Sequence, residues 1–147
     1  MPTESTDPRV MAIVGAYEAL RADSIAALLA LYSPQARFKD PFNEVQGREA
    51  IGQVFAHMFA TLHEPRFVVD VAMAEGDDAF LSWGFVFRRD NGQAMRIRGA
   101  SHLHFAPDGG IDVHRDYWDA AEELYAKLPV LGVLMRALRK KLAARPR

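Results

Sequence analysis

Between residues 66 and 118, four runs of alternating apolar and polar residues are separated by short turns rich in Gly, Asp and Asn. In 66–75, Phe67, Val69, Val71 and Met73 fall on one side; in 79–89, Leu81, Trp83, Phe85 and Phe87 do. A period of two sends successive side chains to opposite faces, so each run predicts a half-buried strand. Gly76-Asp77-Asp78, Asp90-Asn91-Gly92 and Pro107-Asp108-Gly109-Gly110 separate the runs. Asn-Gly in particular tolerates the positive φ of a tight hairpin turn. With 93–105 and 111–118 as the third and fourth runs, the short connections predict a four-stranded antiparallel meander.

The first third of the chain has the other period. Thr6 or Asp7 can cap a helix, and Pro8 suits its first turn. Val10, Ile13, Val14 and Tyr17 then repeat at helical spacing. Asp23 or Ser24 starts a second short helix with Ile25, Leu28, Leu29 and Tyr32 on one face, which Ser33-Pro34 ends. Residues 36–40 predict a short extended piece, with Ala36, Phe38 and Asp40 on one face and Arg37 and Lys39 on the other. After Gly47, the residues Ile51, Val54, Phe55, Met58, Phe59 and Leu62 mark a third helix with a broad apolar stripe. Helices first and strands after predict an α+β fold.

Residues 1–118 thus predict one domain, and 119–147 its basic amphipathic helical extension. Asp119, Glu122 and Glu123 suit a helix N-terminus. Pro129 begins a second helical piece with Leu131, Leu134, Met135, Leu138 and Leu142 in a stripe. After Glu123 every charged residue is basic: Lys127, Arg136, Arg139, Lys140, Lys141, Arg145 and Arg147. This tail can pack on the outside of the domain, cover its open end, or touch an anionic lipid surface weakly through 124–147.

A chain of 147 residues is long enough for one buried core. A net charge of −1 gives no sign of a nucleic-acid partner. With no cysteine, disulfide and thiolate chemistry are excluded. The polar start of the chain and the lack of a membrane-length apolar run predict a soluble cytoplasmic protein.

Asp40 lies within an apolar stretch, where an unpaired carboxylate is costly. It is a candidate general base in a pocket, or else a cap for the turn at Pro41. Tyr17 is a core tyrosine or the partner of Asp40. His114 and Asp116 are two apart on one strand and suit acid–base work, or form a structural pair. The alternation of the last strand also permits the opposite inner face, Ile111, Val113 and Tyr117. His102 and His104 share a face as metal ligands can, but with no further acid in step the outer sheet face is expected, and no metal or other cofactor. Arg88, Arg89, Arg96 and Arg98 flank one hairpin and predict a solvated face.

Taken together, Tyr17, the run Phe38-Lys39-Asp40-Pro41-Phe42, the run Gly47-Arg48-Glu49-Ala50-Ile51, and Phe105 through Gly109-Gly110-Ile111 to Tyr117-Trp118 carry a family resemblance. The chain resembles the NTF2-like superfamily over residues 8–118, and within it the ketosteroid isomerases and the SnoaL-like polyketide cyclases. The resemblance implies a cone: a curved antiparallel meander plus a short strand, wrapped around three N-terminal helices. It implies Asp40 as the proton-moving base and Tyr17 as donor to the enolate oxygen. It further implies inward-facing His114, Asp116 and Trp118, with Asp116 at the position of the cyclases' acid–base aspartate. The chain departs at Ser101, where the isomerases hold a second, neutral aspartic acid. Ser101, Trp118, Phe38, Phe55, Phe59 and Trp83 are the implied substrate-binding set. The function implied is cofactor-free proton transfer on a small hydrophobic carbonyl compound. The alternative is a non-catalytic lipid- or polyketide-binding module or a dimeric accessory protein. A homodimer is implied by analogy.

Overall fold

A computed structural model of the chain describes residues 7–123 and 129–142. Helix α1 (Pro8–Glu18) starts where Asp7 accepts the Arg9 backbone N–H at 2.9 Å, and it buries Val10, Ile13 and Tyr17. The Arg9 guanidinium also bonds Asp77 and the Gly76 carbonyl and lies 4.3 Å over the Phe105 ring, which ties α1 to the sheet. Helix α2 (Ile25–Leu29) is shorter than its apolar spacing predicts. Tyr32 does not continue it but opens strand β1 (Tyr32–Lys39), fully buried. The chain must extend before Pro34, and the Leu31 carbonyl already accepts the Ile111 N–H at 2.9 Å, so sheet pairing captures Tyr32.

Strand β2 (Glu44–Gln46), a three-residue edge strand the sequence does not announce, folds back on β1. Helix α3 (Arg48–Thr61) comes next and buries Ile51 and Phe55. The meander is β3 (His63–Glu75), β4 (Asp78–Arg88), β5 (Ala94–Phe105) and β6 (Ile111–Tyr117). All six strands form one sheet in the order β2-β1-β6-β5-β4-β3. Its β1–β6 pair is parallel, so the sheet is mixed, with the predicted meander antiparallel within it. The core lies between the sheet's inner face and helices α1 to α3.

Two bulges set which side chains face that core. In β3, Val69 pairs with Trp83 and Val71 with Ser82, which leaves Asp70 as an extra residue. An extra residue reverses the facing of the rest of the strand. Ala72 is therefore buried and Met73, expected inside, is 54% exposed. In β6, His104 pairs with Val113 but Phe105 with Ile111, so Asp112 is extra.

Beyond the sheet, Asp119 caps α4 (Ala120–Glu123) by accepting the Glu122 N–H at 3.0 Å. Helix α5 (Pro129–Leu142) begins at the expected proline and exposes Val133, Leu134, Leu138 and Leu142. Thr6, Lys127, Arg145, Arg147 and the side chains of Leu131, Met135 and Arg139 lie outside the described residues. No described helix is long and apolar enough to cross a membrane.

Candidate functional site

The bulge at Asp112 decides the inner face of β6. Ile111 and His114, three residues apart, both point inward and are buried, while Val113 and Tyr117 are exposed. The register then sets His114 beside Phe38 and opposite Leu103, and Asp116 opposite Ser101.

These side chains form one continuous hydrogen-bonded chain. The Trp83 indole N–H donates to Ser101 Oγ at 2.8 Å, and Ser101 donates to Asp116 Oδ1 at 2.5 Å. His114 Nε2 lies 2.6 Å from the same oxygen. On the other side of the ring, His114 Nδ1 is 2.6 Å from the Tyr32 hydroxyl and 3.2 Å from that of Tyr17. The two hydroxyls are 2.7 Å apart. One assignment of hydrogens satisfies every group with a neutral imidazole: Tyr17 donates to Tyr32, Tyr32 to Nδ1, and Nε2–H to Asp116. The ring is clamped by packing as well, stacked on Tyr32 at 5.9 Å and tilted on Phe38 at 4.7 Å.

Burial pushes both phenols above the ordinary tyrosine range, and the Asp116 charge adds to this. A pKa raised in the folded state means the contribution to stability is whole below the unfolded value of 10.0 and is lost as pH climbs toward the folded value. Denaturant titrations at rising pH are therefore expected to show stability falling above about pH 10. Tyr17→Phe and Tyr32→Phe should each flatten that fall; an unchanged slope in both would refute the account.

Gly99 keeps this chain in place. A Cβ there would stand 2.5 Å from Trp83 Cη2, so the indole lies against bare backbone. Gly99→Ala is expected to cost about 1–3 kcal/mol in urea unfolding. It should also shift Trp83 fluorescence as the N–H leaves Ser101.

Asp116 stands where the polar chain meets an apolar cavity of about 440 Å³ between α3 and the sheet. That size is ordinary for a small-molecule site. Phe38, Phe55 and Trp118 line it, with Asp40 also on its wall. Phe42 meets Trp118 edge-on at 5.4 Å, and both belong to the same lining. A larger groove of about 820 Å³, lined by Arg21, Arg66, Arg88, Arg96 and Phe59, is more open and does not contain this acid–imidazole pair.

The expected site residues thus divide. Tyr17, Ser101, His114 and Asp116 come together; Trp83 joins them as a donor to Ser101. Tyr17 and Trp83 face only a void of about 20 Å³ beside Asp116, not the main cavity. Phe59 lines the other groove. Asp40 shares the cavity with Asp116, yet its carboxylate holds a turn. Oδ1 accepts the backbone N–H groups of Phe42 at 2.8 Å and Asn43 at 2.6 Å, and the Asn43 side chain reaches both oxygens at 3.1 Å. Arg89 differs from the expected solvated face: it lines the cavity, whereas Arg88, Arg96 and Arg98 are exposed. Tyr32 is the residue that sequence reasoning missed. Its parity with Ala36 and Phe38 was the available signal.

His102 and His104 occupy the outer face, paired with Asp78 at 2.8 Å and Asp112 at 2.7 Å. Hydrogen bonding to Asp112 raises the His104 pKa. Among the described residues no three His, Asp or Glu side chains gather as a metal site would require.

Comparison with solved structures places this fold among others. A hypothetical protein with a ketosteroid isomerase-like fold from Catenulispora acidiphila, in complex with trimethylamine, aligns with a TM-score of 0.70 at 19% identity. That alignment covers 84% of this chain and 95% of the other. A Mycobacterium tuberculosis protein in complex with estradiol-17beta-hemisuccinate gives 0.66 at 19% identity, covering 78% and 95%. The epoxide hydrolase/cyclase-like enzyme SalBIII, of pyran ring formation in the polyether salinomycin, gives 0.66 at 17%, covering 76% and 90%. Comparison with curated proteins gives no match. Residues 13–114, more than half of the chain, match the SnoaL-like domain, and the protein belongs to that family, with the NTF2-like fold.

Proposed function

We propose that this protein catalyses cofactor-free proton transfer, of the isomerase or cyclase kind, on an apolar carbonyl compound held in the 440 Å³ cavity. The observation that carries this is the asymmetry of Asp116. Its Oδ1 takes two short hydrogen bonds, while Oδ2 has no hydrogen-bond partner among the described residues. The side chain is 15% exposed and lines the cavity, so Oδ2 is the oxygen a substrate can reach.

In this reading Asp116 Oδ2 removes a proton from the carbon beside the carbonyl. The C–H electron pair becomes a new C=C bond as the carbonyl π pair moves onto oxygen, and the same proton returns at another carbon of the conjugated system. His114 and Ser101 hold the carboxylate still and stabilise its charge. Trp118 lines the same cavity, and its indole N–H, without a hydrogen-bond partner among the described residues, supplies a donor for the enolate oxygen. Tyr17 acts through His114 rather than on the substrate. Asp40 shapes the cavity wall. The steroid derivative bound by the mycobacterial relative and the cyclase-like activity of SalBIII support an apolar ring compound as substrate.

Incubating the protein with a β,γ-unsaturated ketosteroid in D₂O tests this. Conjugation of the double bond, with deuterium taken up by partial exchange on Asp116 entering at the γ carbon where the proton returns, is the expected result. Binding of the steroid with neither change would leave a non-catalytic binding module instead.

A further inference from the structure

Building on the cavity as the ligand site, we infer that Arg89 is an anion anchor, so that the apolar carbonyl compound also carries a carboxylate, whose charged end lies away from Asp116. The cavity is electrically lopsided. Asp40 and Asp116 stand on its wall, and Arg89 is the one arginine or lysine among its described lining residues. Arg89 is half-buried and has no carboxylate within ion-pair distance among the described residues. One of its five N–H donors meets Gln93 Oε1 at 3.1 Å, which leaves the rest of the planar fork for a ligand. Its backbone is pinned by the hairpin, where Arg89 N–H donates to the Gln93 carbonyl at 2.9 Å and Gly92 N–H to the Arg89 carbonyl at 2.8 Å.

A guanidinium partly removed from water, beside Phe85, Phe87, Met95 and Ile97 and without a counter-charge, favours an anion that can take two parallel hydrogen bonds. A carboxylate fits that fork. The same carboxylate near Asp116 or Asp40 would be repelled, so the two ends of the cavity orient the ligand. The register sets its length. Arg88 pairs with Ala94 and Asp116 with Ser101, seven residues apart along β5. At about 3.3 Å per residue the contour is about 23 Å, and side chains reaching inward shorten it to roughly 15–20 Å.

Calorimetry of the full chain with dodecanoate and methyl dodecanoate, both below their aggregation limits, tests this. The acid is expected to bind about tenfold more tightly than the ester. Arg89→Met should erase that difference by weakening the acid alone, Arg89→Lys should retain part of it, and Arg88→Met should change neither. Raising the salt should weaken only the acid. Equal affinity for acid and ester, or equal loss of both in Arg89→Met, overturns the anion anchor while the cavity stands. Failure to bind either ligand overturns the cavity as the ligand site and the anchor with it.

Discussion

Asp116→Asn is expected to lower turnover of the ketosteroid by at least about a hundredfold, with affinity for it changed by no more than about threefold. The substitution preserves shape. One amide orientation still presents an oxygen to Ser101 and His114, which bond Asp116 Oδ1 at 2.5 and 2.6 Å. The change removes the basic Oδ2 on the cavity side. A loss in kcat with KM held is the signature of an interaction used in the chemical step. Asp40→Asn is the decisive control. Its oxygen still accepts the backbone N–H groups of Phe42 and Asn43, so the turn survives and turnover should fall by less than about threefold. If Asp40→Asn abolishes turnover and Asp116→Asn does not, the base is Asp40 and this assignment is wrong.

The two carboxylates also show what a sequence can carry. Asp40 is conspicuous because its neighbours are apolar, and it does reach the cavity wall. Its employment is decided three residues on, by Asn43, whose backbone and side chain both claim its oxygens. Such a local turn is a matter of backbone angles that alternation does not encode. The strands obey the same logic. Strands β4 and β5 pair in one unbroken register from Asp78↔His104 to Arg88↔Ala94, so their inner faces are legible throughout. Strands β3 and β6 each carry a bulge, and a single extra residue reverses parity. Met73 therefore lies on the face opposite to the one its alternation predicts. The same effect makes Ile111 and His114 look like alternatives when the bulge at Asp112 turns both inward. Only the family resemblance points His114 and Asp116 to the interior. Tyr32 is hidden differently: helical spacing and strand parity both accommodate it, and tertiary pairing with β6 chooses the strand.

His114→Leu is expected to cost about 3–5 kcal/mol of folding stability, a large share of the total for a domain of this size. The imidazole is 1% exposed and bonds on both sides, so its loss leaves the Tyr32 hydroxyl without its 2.6 Å acceptor and Asp116 without a 2.6 Å donor. An apolar replacement fills the space between Tyr32 and Phe38 but returns neither partner. Tyr32→Phe alone should cost less, about 1–1.5 kcal/mol, because the Tyr17 hydroxyl, 3.2 Å from Nδ1, can take over as donor. The double variant separates a coupled chain from a set of independent contacts. Both single changes break the same Tyr32–His114 bond, and the double change counts it once. Its cost should fall short of the sum by about 1–2 kcal/mol. Urea midpoints at unchanged m measure all three. Strict additivity would mean that Tyr32 and His114 stand side by side without sharing a proton. A relay from Tyr17 to Asp116 would then lose its middle link, and the carboxylate would be held by Ser101 and an imidazole with no defined tautomer.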